Sequence, residues 1–314
     1  MNIFDQGENA VFRGTWKAVL FLLPTILILI VFLYFPAWHS LVMSFFRNNL
    51  FLGTHTFIGL GNYRNLFTGP LAPAFLQSLT QTLLISLLIV FIGISASIFL
   101  AIQANKKIKG GTVYRMLLIW PFALSPAVAG TIFLFIFNPE VGIMNTLLDF
   151  LFSVKPRWLD SPLLALTLVV FAAVWKYLGY NIVFYLAALQ NIPTEPLEAA
   201  DIDGAGAWRK FFNVLYPLLS PTTFFLVFTN ISYAFFETFG LIDILTTGGP
   251  VGPPTVLDKT GITTTLMYKV FQDGFGGSSN MGFAAAESVI LTIMVGVVAY
   301  FQFSSMGKGI HYQG

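Results

Sequence analysis

The chain of 314 residues contains no cysteine. A disulfide framework, a thiolate nucleophile and a Cys-ligated metal are therefore excluded. Histidine is scarce too, and His39, His55 and His311 lack metal-ligand spacing and fall in loops or tails. Charge is the third shortage. Only 10% of residues are Asp, Glu, Lys or Arg, against about 25% in soluble domains, so a water-facing surface could not be covered. The basic residues are scattered and the net charge is only +2, which gives no footprint for nucleic acid. HExxH and GxSxG are missing, and no histidine lies inside an apolar run, which counts against an intramembrane enzyme. No internal inverted repeat is visible, which counts against an ion-driven secondary transporter of a small polar solute.

What the chain has is apolar length. Hydrophobic residues make up 56% and the mean hydropathy is +0.78. A helix needs roughly 20 apolar residues to cross a bilayer, and six stretches qualify: Val19–Trp38, Gln77–Ala104, Met116–Phe137, Leu163–Leu189, Leu218–Ile242 and Gly282–Met306. Lipid demands internally satisfied backbone groups, and these runs are too long for barrel strands. The expectation is an all-α integral membrane protein with six transmembrane helices. Val19–Trp38 exceeds a signal-peptide core and has no small-x-small cleavage site after it, so the first span stays uncleaved. Pro121 and Pro126 fall inside the third.

Lys and Arg set the orientation. One set of segments holds Arg13, Lys17, Lys106, Lys107, Lys109, Arg115, Arg209, Lys210 and Lys308; the opposite set is sparser over longer loops. Both termini (1–18 and 307–314) and the 190–217 loop are thereby expected in the cytoplasm, flanking a six-span bundle over 19–306.

That loop differs from its surroundings. Thr194 is placed to cap a short helix with Pro196 in its first turn and Glu195 and Glu198 at its positive end. Ala199 and Ala200 leave a narrow face, and Gly204 after Asp203 breaks the helix. A second helix is expected from Ala205 to Val214, with Phe211 and Phe212 turned toward the bundle and Pro217 opening the fifth span.

Glu198-Ala199-Ala200, Asp203-Gly204-Ala205 and then Pro217 resemble the EAA loop of membrane subunits of ATP-binding cassette importers. Phe57-Ile58-Gly59-Leu60-Gly61-Asn62-Tyr63, Leu189-Gln190-Asn191-Ile192-Pro193 and Thr247-Gly248-Gly249-Pro250 extend the similarity over most of the chain. Phe171–Lys176 and Tyr233–Phe239 resemble the carbohydrate-uptake type, in particular the glycerol-3-phosphate permease subunits. Tyr216 stands where the family usually has Leu, and Pro253–Ile262 is longer than usual. The resemblance implies a type I importer permease fold in the cytoplasmic (inner) membrane of a bacterium or archaeon. It implies a second, paralogous permease, two ATP-binding cassette ATPase subunits and an extracytoplasmic solute-binding protein as partners. Residues Glu198, Ala199, Ala200, Asp203, Gly204, Ala205 and Gly206 would couple to the ATPase. This chain would then be no enzyme and bind no cofactor, the ATP and magnesium belonging to the partner ATPase.

Ionisable groups inside spans are costly and face a cavity or a partner. Lys176 lies roughly 25 Å from the cytoplasmic end of its span and Glu237 roughly 30 Å along its own, at 1.5 Å per residue. The two either neutralise each other or line a solute path with Tyr177, Tyr180, Asn181, Asn230, Tyr233 and Thr238. Tyrosine rings and amides are what polyol sites use, and the resemblance places solute contacts on these same spans. Gln77, Ser78, Thr80, Gln81 and Thr82 are expected to bond neighbouring helices, and Glu287 to reach interfacial water.

Overall fold

The computed structural model describes residues 15–49, 54–106, 109–252, 259–276 and 280–306. Arg13, Lys107 and Lys308, both outer tails and residues 253–258 of the long loop lie outside the described residues.

Helix α1 (Thr15–Leu29), a π-turn over Ile30–Tyr34 and α2 (Phe35–Met43) make one continuous first span. It runs from Val19 to Met43, past the expected end at Trp38, and takes His39 into the helix. None of its most apolar stretch is buried by the rest of the chain. A small antiparallel hairpin follows, an addition to the all-helical expectation: β1 (Phe46–Asn49) and β2 (Thr54–Phe57), with the Phe46 and Phe57 rings edge-on at 5.3 Å. In α3 (Gly61–Thr68), Asn62 donates to the Ser44 and Phe46 carbonyls at 2.8 and 2.9 Å and fixes the hairpin against the bundle.

The second span is α4 (Ala72–Asn105). The third stretch departs from the expected continuous Met116–Phe137. Helix α5 (Gly111–Ile119) and a 3-10 turn over Trp120–Ala123 meet α6 (Pro126–Ile136) at a bend of 106°. The residue before a proline is pushed out of the helical region, and Ser125 is extended, with ψ 154. Its hydroxyl accepts from the Val128 amide at 3.3 Å, so the new helix starts capped.

Helix α7 (Ile143–Phe152) precedes the fourth span, α8 (Pro162–Gln190). The loop carries α9 (Glu195–Ile202) and α10 (Ala207–Lys210). The second loop helix does not stop at Val214. Through a π-turn over Phe211–Leu215 it runs without a break into α11 (Tyr216–Phe236), the fifth span. That span ends at Phe236, short of the expected Ile242. Glu237 separates it from α12 (Thr238–Leu245), whose buried Leu241, Ile242 and Leu245 pack on α6 instead of continuing along α11. Helices α13 (Leu266–Phe275) and α14 (Met281–Met306), the latter the sixth span, complete the chain.

Helices in lipid associate by close packing of small residues and interhelical hydrogen bonds, because lipid is as apolar as leucine. The principal pair, α4 against α8, follows that rule: Ser97 and Ala101 on α4 and Ala165, Ala172 and Ala173 on α8 are buried. At Gly179 a methyl group would sit 2.6 Å from the Ile119 carbonyl oxygen, so the absence of a Cβ lets α8 touch α5.

The polar start of α4 reaches a loop as well as its own helix. Gln77 accepts from the Lys259 and Thr260 amides at 2.9 and 3.2 Å and donates to the Thr260 carbonyl. Thr82 accepts from the Leu266 amide at 2.7 Å, and Gln81, with its amide nitrogen toward the loop, donates to Gly261 and Thr264. Glu287 is also misjudged by sequence: it is fully buried beneath α13 and reaches no water.

Candidate functional site

Two groups of residues carry the functional reading. The first is the loop between α8 and α11. Thr194 does not cap α9 through its side chain, since its backbone is already helical (φ −74, ψ −28) and a capping side chain needs an extended one. The end of α9 is as expected. Gly204 turns the chain at φ +69, and the Ala205 amide closes back on the Ala200 carbonyl at 2.9 Å. A salt bridge of 2.6 Å from Lys210 to Asp201 ties the two arms.

Ala200 is the one buried residue of α9. Glu198, Ala199, Asp203, Gly204 and Gly206 are exposed, Ala205 is half-buried, and Ile202 and Trp208 are 87% and 77% exposed. Phe211 packs into the core as expected, but Phe212 does not: it stays exposed and stacks on Trp208. Consecutive helical residues point about 100° apart, so both rings could not face the bundle. Beneath this arm lies an apolar groove of about 840 Å³, lined by Leu87, Phe91 and Phe99 of α4 and by Trp208, Phe212 and Tyr216.

The second group is the polar cluster of α8 and α11. Lys176 is buried, and its ammonium stands 4.7 Å from the centroid of the Tyr177 ring and 5.5 Å from that of Phe122. Such cation–π contacts are worth up to about 2 kcal/mol when desolvated. No ion pair joins Lys176 to Glu237 among the described residues, and Glu237 is exposed at the α11–α12 break. Equal depth did not bring the two charges into ion-pair contact.

Tyr233 stacks on Tyr177 at 5.0 Å and meets Tyr180 edge-on at 5.7 Å, while Tyr180 packs on Phe122. Tyr180 and Tyr233 keep part of their surface open. The amides of Asn181 and Asn230 face each other: each donates to the other's oxygen, at 3.0 and 2.7 Å, with both side chains buried. Thr238 is buried and donates to the Ala234 carbonyl. The structure thus brings Lys176, Tyr177, Tyr180 and Tyr233 into one aromatic cluster and leaves Glu237 outside direct contact with the lysine.

Phe122 is the member that sequence reading missed. It lies in the turn between the two bent halves of the third stretch, and the Trp120-Pro121-Phe122 run was its only signal. Among the described residues no group of His, Cys, Asp or Glu is arranged to hold a metal ion.

Comparison with known proteins bears directly on this arrangement. Residues 93–306 match the family described as the binding-protein-dependent transport system inner membrane component. The sn-glycerol-3-phosphate transport system permease protein UgpA of Pectobacterium atrosepticum is 40% identical over 307 residues, covering 98% of this chain and 99% of that protein. Its namesake in Brucella abortus is 41% identical over 295 residues, covering 93% and 94%. Among solved structures, a bacterial alginate ABC transporter in complex with an alginate pentasaccharide-bound periplasmic protein aligns with a TM-score of 0.76. It covers 93% of this chain and 94% of that one at 22% identity, a likeness of fold.

Proposed function

Because the chain belongs to the family of inner-membrane components of binding-protein-dependent transport systems, we propose that it forms half of the membrane path of an ATP-driven importer for a glycerol phosphate. As a permease subunit it is a transport component and no enzyme. In this reading a partner ATPase dimer, which holds ATP and magnesium, closes beneath the loop. Glu198–Gly206 carry that motion into α8 and α11, and the bundle alternates its access. Both termini lie in the cytoplasm, and a solute-binding protein delivers its load to the opposite face. A second permease, a paralogue of this chain, closes the path that six spans alone leave open.

The observation that carries the substrate class is Lys176: a buried cation held by two aromatic rings and, among the described residues, within ion-pair distance of no carboxylate. A phosphate is the chemistry such a cation lacks, with Tyr180 and Tyr233 offering hydroxyls and ring faces to a polyol. The 40% identical glycerol phosphate permease supports the same class. In this reading Asn181 and Asn230 are the joint about which α8 and α11 move together.

The test is uptake into proteoliposomes holding the full transporter and its binding protein. Glycerol 3-phosphate should accumulate with ATP and withstand a protonophore, and should stop with a lesion in the partner's ATPase site. Uptake that follows a proton gradient and ignores the lesion would make the chain a secondary transporter instead.

A further inference from the structure

Glu287 of α14 is fully buried, and among the described residues no donor gives a hydrogen bond to either of its carboxyl oxygens. The groups that face it come from α13. The Lys269 ammonium lies 2.7 Å from Asp273 Oδ2 and 3.7 Å from Glu287 Oε1, a distance that reaches Asp273 as a hydrogen bond and Glu287 only as a field. The Lys269 side chain is 8% exposed and that of Asp273 is 19%. One cation therefore stands between two carboxyl groups in a site nearly closed to water.

The other elements packed on α14 are α2, β1, α3 and α11. Their ionisable side chains are His39, Arg47, Tyr63, Arg64, Tyr216 and Tyr233. Among the described residues none of these bonds to Glu287 or pairs with it. Lys269, between Glu287 and Asp273, is the cation beside it.

Ionised, Glu287 would be a buried carboxylate that no donor among the described residues solvates, and such a charge neutralises rather than persists. A neutral carboxylic acid removes the charge and supplies the missing donor, since its O–H can bond a neighbouring carboxylate. We propose that Glu287 is held as the neutral acid and gives its hydrogen bond to Asp273, so that one proton fastens α13 to α14 as a strap sensitive to alkali. The strap has a definite place. The Leu266 amide at the head of α13 is bonded to Thr82 of α4, so α13 bridges the ends of two spans. Both lie at the end of the bundle opposite the Glu198–Gly206 loop. Removing the proton sets two carboxylates against each other and loosens that bridge.

The experiment uses the purified full chain in detergent, titrated from mildly acidic to alkaline medium. Two readouts are taken: the infrared C=O stretch of a protonated carboxyl and the thermal midpoint. Wild type should show the protonated band at neutral pH, and its midpoint should fall as the medium turns alkaline. Glu287→Gln, whose amide donates the same bond without titrating, should lose the band, match the wild-type midpoint at neutral pH and hold it through the titration. Asp273→Asn should also lose the band, because Glu287 then ionises to pair with Lys269. Wild type without the band, a Glu287→Gln chain that fails to fold or melts several degrees lower at neutral pH, or a band that survives in Asp273→Asn would each overturn the proposal.

Discussion

Asn181 and Asn230 hold α8 to α11 by two reciprocal hydrogen bonds, at 3.0 and 2.7 Å, inside the membrane domain. Asn230 also donates to the Leu226 carbonyl at 2.7 Å. Either amide truncated alone strands the other. The expected cost of Asn181→Leu is about 1–2 kcal/mol, the scale of a buried group left without its partner in a membrane bundle. Asn181→Leu with Asn230→Leu should cost less than the two single changes added together. Thermal midpoints of the four chains in detergent check this, and strict additivity would show that the pair is not coupled.

Lys176→Met should weaken uptake of glycerol 3-phosphate by about tenfold to a hundredfold, the range of one charged hydrogen bond of about 1.5–3 kcal/mol. Glu237→Gln should change uptake little, because Glu237 is exposed and forms no ion pair with the lysine. The double variant should then resemble Lys176→Met. Concentration dependence of uptake separates the outcomes. Full recovery in the double variant would mean that the two charges are a structural pair after all.

The six apolar stretches were legible because lipid leaves a helix of about 20 residues few alternatives. The chain's breaks were not. Pro121 and Pro126 were visible, yet a proline is tolerated within a membrane helix when neighbours satisfy its backbone, so their presence alone did not fix the 106° bend. The stop at Glu237 depends on Leu241 and Ile242 finding α6, a contact far away in sequence. Lys176 and Glu237 show the limit of counting: rise per residue gives depth but not the direction a side chain faces. Glu287 shows it again, since its distance from the span end was readable while the cover provided by α13 was not. Gly204 was readable because the sequence itself asked for a residue at positive φ.

Gly179→Ala should destabilise the bundle by about 1–3 kcal/mol, the usual cost of overpacking. Its methyl would meet the Ile119 carbonyl at 2.6 Å, and backbone cannot swing aside as a side chain can. The thermal midpoint of the purified chain is the measurement. An unchanged midpoint would mean that α5 and α8 have slack at this contact.

Gly204→Ala should act on coupling rather than on the bundle. The residue sits at φ +69 with open space around it, so the penalty is the local one for a left-handed residue, about 1–2 kcal/mol. The expected phenotype is a chain that still assembles, with the cost confined to the loop, while solute uptake per ATP hydrolysed falls. Paired hydrolysis and uptake assays on one preparation read that ratio.

The most direct test of the account asks which side of the bilayer bears the loop and what covers it. Because the natural chain has no cysteine, Ala199→Cys supplies a unique thiol on the exposed face of α9. A membrane-impermeant maleimide should label it in inverted vesicles stripped of the ATPase, be blocked when the ATPase is restored, and leave intact spheroplasts unlabelled. Labelling of intact spheroplasts, or labelling indifferent to the ATPase, would contradict the claim that this loop is where nucleotide-driven motion enters the membrane.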